Sequence, residues 1–598
     1  MSQEQIKDMN QFFYRASAAD FMKIPGGPVA YWVSDDLRSV FLKNKSLGEL
    51  GEPRLGMATG NNDLHIRCWQ EVSYNKVGLN FENRKEAESS QKKWFPYNKG
   101  GQFRRWYGNN EYLVNWEKDG EVIRTLLHPS GDRVWGHNFN LDYIFKSCLT
   151  FTATSSSHFG IRYSPAGFLF DNKGSSYFTD PEFIFPVLGF LASKPATNIL
   201  KAINPTIEFQ PGNISILPFS DAAITASVNN LVSDIIQVSR EDWNSLEVSW
   251  GFSDSPLLKI ANGSGNLLLF YQCLREHWKN TVLKMQRREE ENNRFYIETY
   301  GLEKELTADV SLKEITLTCN PHYRYGGKLA DEEREARLQS DTLTELVSYA
   351  LGCMMGRYSL DKPGLILASQ GETLDDYLNQ IPKPQFAPDD DAILPLTDQE
   401  WFPDDATNRF REFVRVVWGE EHLQENLDFV AESLCLHAIK PKRGESALDT
   451  IRRYLSTQFY KDHMRTYKKR PIYWLFSSGK HKAFECLVYL HRYNEGTLAR
   501  MRTEYVIPLS AKLSAYAEKL EQDKDASNSA AETKRLEKEI ATLHKQQTEL
   551  AEFDEKLRHY ADQRISLNLD DGVKINYGKF GNLLAETKAV TGNKEALL

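Results

Sequence analysis

Cysteine is sparse in this chain and never patterned. Seven occur in 598 residues, at positions 68, 148, 273, 319, 353, 435 and 486. No two have CxxC spacing, and none stands in a Cys/His zinc arrangement. That excludes a zinc module and a disulfide scaffold, and predicts free, buried thiols in a reducing cytoplasm. Long apolar runs are missing too. FIFPVLGFLA (183–192) is too short for a bilayer and carries Pro186. The first residues, MSQEQ, have neither the basic nor the apolar region of a signal peptide. A cytoplasmic protein with no membrane contact is expected. Catalytic signatures are also absent. There is no phosphate loop, no HExxH, no GxSxG elbow, and no glycine-rich strand-turn-helix for a dinucleotide or adenosylmethionine. The chain is therefore expected to carry no catalytic residue, no cofactor site and no metal site.

What is present is an ordinary globular composition, 41% apolar and 26% charged, in a chain long enough for several domains. The net charge is −9. A surface meant for phosphate must then gather its basic charge locally. Two stretches do so. Trp94–Gly108, WFPYNKGGQFRRWYG, has six aromatic residues (Trp94, Phe95, Tyr97, Phe103, Trp106, Tyr107) and three basic ones (Lys99, Arg104, Arg105), with no acid. Its Gly100-Gly101 pair lets backbone approach a ligand closely. Arginine forks suit phosphate oxygens or a guanine edge, and the rings suit stacking on a base. The same composition also describes a strand-turn-strand corner with a buried aromatic cluster. Lys461–Arg492 holds eight Lys/Arg against Asp462 and Glu485. It is either a DNA-backbone surface, with Lys468, Lys469 and Arg470 foremost, or a helix face over a buried Ile472–Phe476 segment. Thr59-Gly60-Asn61-Asn62-Asp63 is a dense turn cluster, and Arg162 lies in a glycine-flanked strand.

In order along the chain, a helix is expected at Gln3–Ala18. Residues 94–170 alternate like short strands, with Lys118-Asp119-Gly120 as a turn and Ser155–His158 as a polar tract. Residues 181–204 and 267–293 read as helices, and Glu314–Cys319 as a strand. Asn320-Pro321-His322-Tyr323 approaches the Asn-Pro-Pro-Tyr tetrapeptide of amino-methyltransferases. Its third residue differs, and it reads as a loop between strand and helix. Asp389–Asp405 has seven acids, no base and three nearby prolines, the composition of a linker. In Glu504–Tyr560 two leucine-rich stripes flank a small polar turn, the pattern of an antiparallel helical hairpin.

Long strings in this order carry a resemblance: LGMATGNNDLHIRCW (55–69), WFPYNKGGQFRRWYGNNEYLVNWEKDG (94–120), HFGIRYSPAGFLFDNKGS (158–175), TCNPHYRYGG (318–327), YALGCMMGRYSLDKPGLILASQGE (349–372), KKRPIYWLFSSGKHKAFECLVYLHRYNEGTLARMRTEY (468–505) and DDGVKINYGKF (570–580). The chain resembles the C-terminal half of the PglX family, the adenine-specific DNA methyltransferases of BREX phage-defence systems. It is more loosely similar to the target-recognition regions of restriction-modification methyltransferases. The resemblance implies an α+β fold, a mixed-sheet target-recognition domain followed by a mainly helical region with a long antiparallel hairpin. The expected blocks are a connector (1–50), a DNA-binding domain (51–300), an α/β spacer (301–388), the acidic linker (389–405), a helical domain with a basic patch (406–503), the hairpin (504–563) and a tail (564–598). It implies DNA contacts at Thr59, Gly60, Asn61, Asn62, Lys99, Arg104, Arg105, Trp106, Tyr107, Arg162, Lys468, Lys469 and Arg470. Double-stranded DNA, a catalytic methyltransferase subunit and other BREX proteins are the implied partners. S-adenosylmethionine is expected in a catalytic part outside this chain, on a separate subunit or lost. A methyltransferase in its own right and a protein-interaction scaffold of the defence complex are the alternatives.

Overall fold

The computed structural model describes residues 17–154, 158–204, 206, 208–260 and 265–592. The helix expected at Gln3–Ala18 and the tract Ser155–Ser157 lie outside the described residues, apart from the short helix Ala18–Phe21. The fold is α+β, and the chain forms two compact units from interleaved segments.

The first unit comprises residues up to 66, 78–243 and 278–326. One sheet has the strand order Gly51–Arg54, Ser176–Thr179, Cys148–Phe151, Ile161–Ser164, with antiparallel neighbours throughout. In another, Trp94–Asn98 pairs antiparallel with Tyr112–Asn115 and parallel with Leu169–Phe170. All five residues of Trp94–Asn98 are buried, as a strand covered on both faces requires. Phe95, Tyr97, Val114, Trp116, Phe145 and Phe170 form the core beneath it. The turn after Tyr112–Asn115 is built by Lys118, Asp119 and Gly120, all at positive φ (50°, 56° and 74°). The Asp119 carboxylate holds it by accepting from Arg84 Nε (2.9 Å), Arg124 (2.6 Å) and the Trp116 indole (3.2 Å). Helices Pro181–Leu191, Lys194–Ile203 and Ala226–Asn244 follow, with the later part of Leu267–Tyr300. Pro181 and Pro195 sit in first turns, where a missing N–H costs nothing. The strand expected at Glu314–Cys319 is instead a 3-10 turn, Leu312–Glu314, and an extended segment. Its Thr318 and Cys319 N–H groups donate to the Asp242 carboxylate (2.8 and 2.9 Å), so a side chain takes the place of a partner strand.

The second unit comprises 67–77, 244–277 and 327–598. Its sheet runs Ile393–Pro395, Glu485–Tyr489, Tyr473–Ser477, all antiparallel. The acidic stretch 389–405 thus supplies a buried strand, which its composition hides. Its acids are spent locally. Asp391 accepts from the Ile393 N–H (2.8 Å), and Asp405 caps Ala406–Trp418 and pairs with Arg452 at 2.5 Å. Around the sheet lie Asp331–Met354, Leu423–His437, and Ala447–Tyr454, which continues through a π turn, Leu455–Phe459, into Tyr460–Thr466. Ile507–Ala526 and Ala530–Asp562 run antiparallel, as the pairs Arg502–Asp554, Ser514–Gln547 and Tyr516–Glu539 show. Leu509, Leu513 and Leu520 face Leu536, Ile540, Leu543 and Leu550 along the seam. All seven cysteines are free, but Cys273 is exposed and Cys435 half-buried rather than in the core. No single helix among the described residues is long and apolar enough to cross a membrane.

Candidate nucleic-acid interface

The stretch 94–108 begins as a core strand and then turns its basic residues inward. Arg104 is 3% exposed. Its guanidinium pairs with Asp242 at 2.5 Å, donates to Thr318 Oγ1 at 3.1 Å, and lies over the Trp243 ring at 5.0 Å. Arg105 pairs with Glu289 at 2.9 Å and donates to the Glu314 carbonyl at 2.7 Å. The Trp106 indole donates to the same Glu289 at 2.9 Å. Burial pushes the Glu289 carboxyl up, against the pull of Arg105 and Trp106. Trp106 itself has φ +72° and is 1% exposed. Tyr107 is buried under the Arg240 guanidinium, 5.0 Å from its ring. Arg162 is enclosed, and donates to the Arg104 carbonyl at 3.3 Å and to Thr152 Oγ1. Burial and the neighbouring Arg104 push its pKa down to about 10. Five of the expected contacts are therefore interior. Their forks and rings tie the stretch to two helices and the 314–318 segment, and of the five Arg105 also reaches the wall of a cavity.

The turn cluster is different. Thr59 is buried and its hydroxyl donates to Asn62 Oδ1 at 2.6 Å. Asn61 caps a single helical turn, Asn62–His65, accepting from the Leu64 N–H at 3.2 Å. Gly60 is exposed at φ +76°, and a Cβ there would lie 2.4 Å from the Trp135 ring. Gly60 and Asn62 remain at the surface. Lys99 is three-quarters buried beside Asp171, 3.3 Å away.

A cavity of about 210 Å³ opens beside the stretch. Phe103 and the His158 ring stand 5.3 Å apart on one wall, and Lys194 and Lys201 line the other. The cavity also meets the first turn of Lys194–Ile203, capped by Ser193. Burial pushes the His158 pKa down. Arg105, the two lysines and the positive helix end outweigh the one lining acid, Glu314, and favour an anion, while the rings favour a flat group.

The second basic stretch keeps its charge outside. Lys468 and Lys469 are exposed, with φ of 51° and 60°, where Tyr460–Thr466 ends. The Lys469 N–H closes the helix onto the Met464 carbonyl at 2.7 Å. A cavity of about 560 Å³ lies here, lined by Lys461, Arg465, Lys468, Lys469, Glu586 and two apolar residues. Four cations line it against one acid, and Arg465 is also paired with Asp462 at 2.7 Å, which leaves the lining basic. Arg470 is half-buried, 3.8 Å from Glu71, and donates to the Val590 carbonyl. Lys461 and Arg465, one helical turn apart, were not singled out from sequence; their i, i+4 spacing was the available signal. Asp242 and Glu289 carried no local signal at all.

The tetrapeptide at 320–323 is a helix start. Asn320 is fully buried, and its amide donates to the Leu312 and Ile315 carbonyls at 2.7 and 2.9 Å while its oxygen accepts from the His322 N–H. Tyr323 donates to the Phe103 carbonyl. Among the described residues no group of His, Cys, Asp and Glu has the arrangement of a metal site.

No family model matches the chain. It is 46% identical, over 578 residues, to a protein of Escherichia coli O9:H4 (strain HS) named adenine-specific methyltransferase BrxX, covering 96% of this chain and 46% of that protein. It is 39% identical, over 591 residues, to adenine-specific methyltransferase PglX of Lacticaseibacillus casei (strain Zhang), covering 97% and 46%. The chain is homologous to these proteins along nearly its whole length, and spans about half the length of each.

Proposed function

We propose that the chain serves adenine-specific DNA methylation of the BREX phage-defence type, as the part that binds and reads duplex DNA. The similarity to two proteins named adenine-specific methyltransferases supports the choice of reaction. The observation that carries the DNA-binding role is charge placement. A chain of net charge −9 sets Lys461, Arg465, Lys468 and Lys469 around one open cavity. In this reading these groups hold backbone phosphates and position the duplex. The exposed turn at Gly60–Asn62 and the Phe103–His158 cavity meet bases or sugars. Arg104, Arg105, Trp106, Tyr107 and Arg162 shape that surface from beneath.

The relatives' name implies a methyl donor, S-adenosylmethionine. The one tetrapeptide that approaches a methyltransferase motif does not fit that use, because the Asn320 amide is committed to two backbone carbonyls. Methyl transfer is accordingly assigned to sequence outside this chain, on the same polypeptide or a partner.

Duplex binding by fluorescence anisotropy over a salt series tests the reading. The affinity should fall steeply with salt, about 0.9 log units per log unit of salt for each phosphate held. Replacing Lys468 and Lys469 should flatten the slope. A salt-independent affinity, or none, would overturn the DNA-binding role. Titration calorimetry with S-adenosylmethionine separates the second question: measurable binding to this chain would leave methylation standing and sink the division of labour.

A further inference from the structure

The cavity beside Phe103 lies wholly in the first unit and holds about 210 Å³. That exceeds the roughly 150 Å³ that holds benzene, so one flat ring enters it. Phe159 and Ala192 are buried parts of its wall, whereas His158 and Lys201 are exposed and mark its mouth. Its shape is therefore apolar inside and cationic outside.

The helix Lys194–Ile203 makes it so. Ala196, Ile199, Leu200 and Ala202 are buried and seat the helix on the core. Lys194, Asn198 and Lys201 recur at spacings of four and three, which puts them on one stripe, and all three line the cavity. The Lys194 ammonium donates to the Asp309 carbonyl, which fixes the charge without cancelling it. Among the described residues neither lysine has a carboxylate partner, and the Asn198 amide makes no hydrogen bond. Glu314, the one acid on the walls, accepts from the Ser311 hydroxyl at 2.9 Å. Arg105 is matched by Glu289. With that pair discounted, two lysines still face one acid. Burial, then Arg105 and Lys201, push the His158 pKa down against Glu314, so the ring is neutral and its surroundings are net cationic.

A ligand that satisfies such a space carries a ring at one end and concentrated negative charge at the other. A phosphate monoester brings about −1.5 to −2 at neutral pH, where a carboxylate or a backbone diester brings −1. We propose that this cavity binds a nucleoside monophosphate with a single-ring base, the ring inside against Phe103 and the phosphate at the mouth on Lys194 and Lys201. The inference rests on the reading that gives this cavity to bases or sugars, and names the unit it takes. That unit comes either from a free nucleotide or from the phosphorylated end of a strand.

The test is titration calorimetry on the full chain with thymidine 5′-monophosphate, thymidine and inorganic phosphate, and with a thymidine tetranucleotide with and without a 5′-phosphate. The monophosphate should bind at least about tenfold more tightly than either of its parts, since a stacked base and a charged hydrogen bond each contribute that much. Binding of the free monophosphate identifies a free ligand. A phosphate-dependent gain with the strand alone identifies a strand end. Both support the site. Lys201→Glu, at an exposed position, should weaken the monophosphate at least about tenfold, leave thymidine unchanged and leave the circular dichroism as it was. Phe103→Leu should bring the monophosphate down towards inorganic phosphate, because only the Phe103 backbone carbonyl is used by Tyr323. A monophosphate no tighter than thymidine or phosphate, no binding in either format, or full affinity in Lys201→Glu would overturn the proposal. Salt-dependent duplex binding that persists without nucleotide binding sinks this site alone; nucleotide binding without duplex binding sinks the DNA-binding role alone.

Discussion

Residues 94–108 and 461–476 both mix basic side chains with aromatic ones, and have opposite fates. In the first, Arg104 and Arg105 are drawn inside by Asp242 and Glu289, which arrive on helices far along the chain. In the second, Lys468 and Lys469 stand exposed at a helix end in left-handed backbone. The residue type suits the difference. A guanidinium is planar, weakly hydrated and able to engage a carboxylate, a carbonyl and a ring at once. An ammonium is compact and strongly hydrated. Basic-aromatic composition therefore marks places where charge is concentrated, and the acids that the fold brings to it decide whether that charge builds the interior or the surface.

The largest expected effect separates the two regions by stability. Arg104→Ala leaves Asp242 enclosed without its cation, and should cost about 3–5 kcal/mol in urea unfolding. The protein that remains folded should keep its salt slope for DNA. A slope that falls with this variant would mean the inner arginines touch phosphate after all. Acid comes next. Burial holds His463 and His491 near pKa 3 in the folded chain, from an ordinary 6.5. The unfolded chain takes up those protons first, so stability is full above pH 6.5 and falls as the pH drops towards 3. Each histidine contributes about 1.4 kcal/mol per pH unit in that window. Urea midpoints at pH 7, 6 and 5 check it; an unchanged midpoint would place these rings in contact with water.

The lysine pair sharpens the comparison from the other side. Lys468→Gly with Lys469→Gly removes two charges at positions whose backbone suits glycine. The salt slope should fall by about 2, and stability should hold or rise by about 1 kcal/mol. A large loss of stability would show the second region to be built like the first. The smallest effect is at Lys99, between the two extremes, where Lys99→Met should cost under about 1 kcal/mol because the pair with Asp171 is loose and partly hydrated.

Local signals in the sequence found what they could find. The Lys118-Asp119-Gly120 turn needs residues that tolerate positive φ, and the leucine stripes of 507–562 encode their own partner. Residues 389–405 misled because acids used as helix caps and ion-pair partners look, in composition, like acids in a linker. The inward turn of Arg104, Arg105 and Arg162 was not legible, since the reason lies in Asp242, Glu289 and the Thr316–Thr318 segment.

The Trp106–Glu289 bond also sets a schedule. Its partners are 183 residues apart. At a synthesis rate of about 5–20 residues per second, Trp106 and Arg105 leave the ribosome roughly 10–40 seconds before the Glu289 carboxylate that accepts from the indole and pairs with the guanidinium. During that interval the Arg105 guanidinium has no carboxylate and keeps its water, so this corner of the first unit cannot close before residue 289 has been made.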